Sequence, residues 1–136
     1  MDLMDTMHIS AAGMRAQSER LKVVSQNIAN ADAVGTTNGS DAPYRRKTIS
    51  FKNALDRETG ANMVRVDKVS VDRSDFDKRY DPSHPYADAQ GYVLYPNVNP
   101  IMEMMDMREA RRGYEANLNV IESSKSMLTQ TVNLLR

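Results

Sequence analysis

Ser25–Thr37 reads SQNIANADAVGTT, and a long helical pattern stops inside it. Upstream, Met4, Met7, Ala11, Met14, Ser18, Leu21, Ser25 and Ile28 follow at alternating steps of three and four, and six of these eight are apolar. Arg15, Gln17, Glu19, Lys22 and Gln26 lie off that row. The spacing predicts an amphipathic helix from Met7 to Asn30, about 36 Å long, with Asp5 or Thr6 capping its start. Asn27 and Asn30 are poor interior residues, because a short amide competes for nearby backbone groups. Placed at a helix end they read as a stop signal, a ligand site, or a contact with another chain.

The other end of the chain behaves in the same way. Asn99-Pro100 is a helix start, with Asn as cap and Pro at the first helical position. A second row then runs through Met104, Met107, Arg111, Tyr114, Leu118, Ile121, Lys125, Leu128, Val132 and Leu135. It predicts a helix of roughly 54 Å. Gly113 interrupts that helix, either as a tolerated surface glycine or as a point where a neighbouring backbone comes close. Between the helices, TTNGSDAP reads as a loop, and YRRKTISF, MVRVDKVSV and GYVLYPN as short strands. The valine phase in the second slips at Asp67-Lys68, as a bulge or turn would make it.

The expected architecture is therefore mainly α with a small β module. Residues 1–31 form the first helix, 32–98 a loop and the β module, and 99–136 the second helix, within one domain. The two apolar rows are coiled-coil seams. They have to pair with each other, with other chains, or both, because a small β module cannot cover them.

Bulk properties exclude several functions. The 136 residues carry 18 basic and 18 acidic side chains. That balance argues against nucleic-acid binding. There is no cysteine, so disulfides, thiolate metal sites and a cysteine nucleophile are excluded. MDLMDTMHIS has acidic residues and no apolar core, so no cleavable secretory signal is expected. No apolar run approaches the ~20 residues of a membrane span, and no membrane insertion is expected. The ten methionines suit either core gaps or adaptable interfaces.

Chemistry-bearing clusters are weak. Asp81, Ser83, His84 and Asp88 sit together in YDPSHPYAD. Nothing nearby supplies an oxyanion hole or a recognised metal-ligand spacing. Tyr44–Lys47, YRRK, reads as a charged edge strand. Gly35 and Gly39 lack the context of a phosphate-binding loop. No catalytic residue, cofactor or metal is expected.

ISAAGMRAQSERLKVVSQNIANADAVGT, Ile9–Thr36, resembles the N-terminal signature of bacterial flagellar axial proteins, the family of rod, hook and hook-associated subunits. The matching positions are Ser10, Gly13, Met14, Asn27, Ile28, Ala29, Asn30 and Ala31. EMMDMREARRGYEANLNVIESSKSMLTQTVNLL resembles the family's terminal helix, through Glu103-Met104 and Tyr114, Ala116 and Asn117. PYRRK and YDPSHPYADAQGYVLYPNVNP look like the proximal-rod members. ADAVGTTNGSDAP looks longer than the family's usual segment.

The resemblance implies a structural subunit that polymerises helically into the rod, the shaft carrying torque from motor to hook across the periplasm. It implies export through the flagellar type III apparatus without a cleaved signal. The implied partners are copies of itself, other rod proteins, and basal-body ring and export-gate components. The assembly interface is assigned to both helices. On the first it comprises Met7, Ser10, Gly13, Met14, Leu21, Asn27, Ile28 and Asn30. On the second it comprises Glu103, Met104, Tyr114, Asn117, Leu118, Ile121, Leu128 and Val132. Other readings are another short rod-family subunit, an unrelated coiled-coil adaptor or chaperone, and a cell-wall hydrolase using Asp81, His84 and Asp88.

Overall fold

A computed structural model describes residues 3–35, 42–57 and 60–134. Most of the tract read as a linker, 36–41, lies outside the described residues, as does Leu135 of the second row. The elements are α1 (Leu3–Ala29), β1 (Lys47–Leu55), β2 (Asn62–Val71), β3 (Asp77–Tyr80), β4 (Tyr92–Tyr95) and α2 (Pro100–Leu134). β1 pairs with β2, and β3 with β4, in separate two-stranded sheets. Two long helices flanking a small β region is the expected fold class. α1 begins earlier than expected, so Asp5 lies in its first turn. Asn99 does cap α2, its Oδ1 accepting the N–H groups of Ile101 and Met102 at 3.1 and 3.4 Å.

Two compact units divide the chain. Met1–Leu21, Ile49–Lys68 and Met107–Arg136 form the first. Lys22–Thr48 and Val69–Asp106 form the second.

In the first unit α1 and α2 run antiparallel. Gly13 lies against the Asn117 amide and Gly113 against that of Gln17, and Arg20 reaches Glu109 at 3.5 Å. A Cβ added at Gly13 would sit 2.8 Å from Asn117 Nδ2. Each glycine thus holds the other helix's amide against its own backbone, and Gly113 marks a close approach, made by a side chain. Ala12, Ala16 and Met63 are buried beside this pair, with Ala110 fully covered. The β1–β2 hairpin closes on Gly60, whose φ of 66° requires glycine. Asp56 C=O accepts the Gly60 N–H, and Asp56 N–H donates to Ala61 C=O, both at 2.9 Å. That places a bulge of the glycine type opposite Asp56. Further down, Ser50 Oγ donates to Lys68 C=O at 3.3 Å. The six steps along β1 from Asp56 to Ser50 therefore face seven steps along β2 from Ala61 to Lys68. The extra residue accounts for the slip of valine phase, while β2 runs unbroken through Asp67-Lys68.

In the second unit β3 pairs antiparallel with β4, from Asp77 opposite Tyr95 to Tyr80 opposite Tyr92. β3 was not expected. All four of its residues, DKRY, are exposed, so it carries no apolar alternation to read. Backbone pairing forms it, helped by Arg79 over the Tyr95 ring at 4.3 Å and by the Tyr80–Tyr92 edge contact at 5.4 Å. Val93 of β4 is fully buried, and Val23 and Val24 of α1 are buried in the same unit.

The covered rows differ from the apolar rows by one residue. On α1, Ser10, Val24 and Asn27 are buried where Ala11, Ser25 and Ile28 were expected. On α2, Glu103, Ala110 and Ser124 are buried where Met104, Arg111 and Lys125 were expected. Apart from Val24 these inward residues are small or polar, and smallness lets two backbones approach. The larger apolar side chains are displaced outward. Met4, Met104, Tyr114, Leu118 and Val132 are exposed.

Two glycine substitutions test this packing. Gly13→Leu should destabilise by about 1–3 kcal/mol through overpacking. Gly113→Ala should change stability by less than about 1 kcal/mol, because helix propensity offsets a milder squeeze on Gln17. Urea unfolding midpoints check both.

Candidate assembly interface

Asn27 organises the second unit. Its side chain is 1% exposed. Its Nδ2 donates to Lys47 C=O at 2.8 Å and its Oδ1 accepts the Lys47 N–H at 2.9 Å. The amide so presents a strand-like rung to the first residue of β1. Its second N–H goes to Glu103 Oε2 at 3.0 Å, and Tyr44 Oη donates to Oδ1 at 2.9 Å. Both protons and both lone pairs are used, the full capacity of an amide. An aspartate here would set a carboxylate against Glu103 and a carbonyl.

Glu103 is the buried charge, also 1% exposed. Arg46 Nε donates to its Oε1 at 2.6 Å. The same guanidinium lies 3.9 Å from both Asp72 and Asp106. Asn97 ties in the neighbouring loop: its Oδ1 accepts the Arg46 N–H at 2.9 Å, and its Nδ2 donates to Asp72 C=O at 3.2 Å and to Ser74 Oγ at 2.8 Å. Burial pushes the Tyr44 phenol above its ordinary value, and the Glu103 carboxylate adds to the shift. Asp72 is held below the usual carboxylate range, first by the Ser74 backbone N–H and then by its hydroxyl.

The basic cluster is thus not the plain charged edge expected of it. Arg46 turns inward, and Arg45 lies 4.1 Å over the Phe76 ring with a hydrogen bond to Ser74 C=O at 3.0 Å. Sequence reasoning missed Arg46, Tyr44 and Asn97. A lone acidic residue one step off an apolar row, Glu103, was the available signal.

The two asparagines of the opening stretch have different work. Asn30 Nδ2 donates to Gln26 C=O at 2.8 Å, one turn back, and finishes the helix locally. Asn27 joins α1 to β1 and α2. Of the residues assigned to the assembly interface, Ser10, Asn27 and Glu103 are buried within the chain. Met7, Gly13, Met14, Leu21, Ile28, Asn30, Asn117, Ile121 and Leu128 are half-buried. Met104, Tyr114, Leu118 and Val132 face solvent.

The Asp81–Asp88 loop is built from turns. Asp81 Oδ1 accepts Ser83 N–H and Oγ–H, and His84 Nδ1 accepts the Tyr86 N–H. Asp88 Oδ1 accepts the N–H groups of Gln90 and Tyr92. Gly91, at φ 82°, sits so close to Tyr80 that a Cβ would come within 2.9 Å of its ring. Among the described residues no group of three His, Asp or Glu side chains converges as metal ligands would. Among the same residues no helix is long and apolar enough to cross a membrane.

Residues 7–36 match the family described as "Flagella basal body rod protein", and residues 89–134 match "Flagellar basal body rod FlgEFG protein C-terminal". The chain is similar to the flagellar basal-body rod protein FlgC of Agrobacterium fabrum, 50% identical over 94% of this chain and 91% of that one. It is 38% identical to FlgC of Bacillus subtilis over 95% of each chain, and 38% identical to FlgC of Salmonella typhimurium over 98% of each.

The network makes quantitative demands. Asn27→Ala leaves several buried groups without partners and should cost on the order of 3 kcal/mol. Asn30→Ala should cost no more than about 1 kcal/mol, as loss of a local helix-end bond does. Arg46→Met should cost about 3–5 kcal/mol by stranding Glu103, and Arg46→Met with Glu103→Leu should regain much of it. Urea unfolding of the variants reads all of these. Tyr44 binds its proton more tightly folded than unfolded. Its contribution is complete below the ordinary phenol value near 10 and is lost as pH rises beyond it. Stability measured above pH 10 should fall, and less steeply in Tyr44→Phe.

Proposed function

Because the chain belongs to the FlgC family of flagellar basal-body rod proteins, we propose that it is a structural subunit of the proximal rod, polymerising helically into the shaft that carries torque from motor to hook. The observation that carries this reading is the outward displacement of the large apolar side chains. Ile101, Met102, Met104 and Met105 are 47–66% exposed on the first turns of α2. Soluble monomers avoid contiguous apolar patches, and subunits of assemblies keep them. Methionine suits such a surface when different neighbours must be met.

The mechanism is distributed load: one face of each helix packs within the subunit, the others pack on neighbours, and heterologous contacts extend without closing. The partners are copies of this chain, other rod proteins, and ring and export-gate components. The location is the rod in the periplasmic space, reached through the flagellar type III apparatus without a cleaved signal. No catalysis is assigned, a reading supported by the use of Asp81, His84 and Asp88 as acceptors within their own loop.

Deleting Thr129–Arg136 should leave cells non-motile, with the truncated chain absent from purified basal bodies. Normal motility of that strain would overturn the proposal. His84→Ala should swim as well as wild type in soft agar. A hydrolase reading would instead require loss of a cell-wall activity in that variant.

A further inference from the structure

Three segments meet at one buried point in the second unit, and each is bonded to both of the others. Asn27 of α1 donates to Glu103 of α2 at 3.0 Å. It also exchanges two hydrogen bonds with Lys47, where the chain enters β1, at 2.8 and 2.9 Å. Next to it, Gln26 Oε1 accepts from Lys47 Nζ at 3.2 Å. Arg46, one residue before Lys47, closes the figure by donating to Glu103 at 2.6 Å. Asp72 and Asp106, each 3.9 Å from the guanidinium, keep it aimed. A triangle of directional bonds cannot shear without breaking a side. Sliding α1 along α2 by two residues moves it about 3 Å, which carries bonds of this length out of hydrogen-bonding range. Asn27 and Glu103 are each 1% exposed, so water does not take the place of a lost partner.

The first unit joins the same two helices differently. Gly13 receives the Asn117 amide and Gly113 that of Gln17. Asn117 Nδ2 donates at 2.8 Å to Gly113 C=O, on its own helix. Gln17 Oε1 is buried without a hydrogen-bond partner among the described residues. The amides fill the space over the glycines and do not bond across it. Glu109, which Arg20 reaches at 3.5 Å, is 72% exposed, and an exposed ion pair contributes little. Apolar and van der Waals contact holds two helices together but is non-directional.

We infer that the Asn27–Arg46–Glu103 triangle is the shear joint of the subunit, the point at which load passes between α1 and α2. The inference rests on the rod reading and says where, inside one subunit, torque crosses from one helix to the other. Neighbours that grip the two helices and turn unequally shear the pair. The second unit resists that shear through bonds of fixed direction, and the first yields to it. Stability and shear resistance come from different properties of the same groups. Replacing Arg46 and Glu103 together by apolar side chains restores stability but restores no direction. Replacing Arg46 by Lys keeps the charge but gives up the planar fork that meets several carboxylates at once.

The test separates load from assembly. Cells lacking the native copy are given the full chain carrying Arg46→Met with Glu103→Leu, Arg46→Lys alone, or Glu109→Gln alone. Purified basal bodies report incorporation, and beads of increasing size attached to the flagellar stub report rotation under load. The double variant should incorporate at the wild-type level and turn small beads at wild-type speed. It should lose the rotation of large beads that the wild type keeps turning. Glu109→Gln, which removes the exposed pair of the first unit, should match the wild type at every load. Four outcomes overturn the inference. The first is wild-type rotation of large beads by the incorporated double variant. The second is a loss of speed equal at small and large loads. The third is loss of large-bead rotation in Glu109→Gln. The fourth is failure of both Arg46 variants to incorporate, which makes the network a requirement of shape alone. If only the double variant fails to incorporate, Arg46→Lys is read under the same criteria. Absence of the wild-type chain from purified basal bodies would sink the rod reading itself, which the load outcomes leave standing.

Discussion

A carboxylate at 1% exposure cannot be left without partners, and Glu103 dictates the second unit on that account. Its charge requires a cation, and Arg46 supplies one at 2.6 Å. Drawing Arg46 inward fixes where the chain enters β1, because Lys47, the next residue, then presents its backbone to Asn27. Asn27 closes the circuit by donating to Glu103 as well. The arrangement is cooperative in a strict sense: each group's burial is tolerable only with the others in place. Such a network contributes modestly to net stability, since desolvation offsets much of the Coulombic gain. Its stronger effect is on uniqueness, because any shifted register of β1 would strand a buried charge and a buried amide together.

This reframes the asparagines at the end of α1. A helix end has carbonyls without intrahelical partners, and Asn30 serves there, bonding one turn back. Asn27 is three residues earlier, on the face turned toward α2 and β1. An amide is the one side chain that can pair with both the N–H and the C=O of a strand residue while still donating and accepting elsewhere. All of the hydrogen-bonding capacity of Asn27 is used within the chain.

Both helices were legible because their apolar residues recur at steps of three and four over many turns, and Asn99-Pro100 marked the start of α2. β4 was legible from GYVLYPN. β3 was not, because DKRY is exposed throughout and owes its conformation to backbone pairing. The slip in β2 showed in its valines, but the glycine bulge at Gly60 did not, since one glycine in a polar turn fits many geometries. Which row of each helix is covered within the chain was not legible. Counting apolar residues selects the row with the largest side chains. In this chain the covered rows are built from Ser10, Gly13, Ala110, Gly113 and Ser124, with amides from Gln17 and Asn117 laid over the glycines. Small residues leave almost no signature in an apolar count, yet they are what lets two helices come close.

That inversion follows from what an assembling chain has to do. The hydrophobic effect rewards burial wherever it occurs, in cis or in trans, at roughly 25 cal/mol per Å². A chain that spent its methionines, Tyr114, Leu118 and Val132 on its own interior would have little left to gain from association. Here the intrachain contacts use close backbone approach and satisfied polar groups, which specify geometry at little cost in apolar area. Many of the larger apolar side chains are left on the surface. The zero formal charge is consistent with this division, since a large net charge would repel copies stacked at short distances. Geometry is thus set within the subunit by groups with strict partner requirements. Cohesion is left to groups that will pack against any apolar surface of the right shape, which suits a part whose neighbours are not all alike.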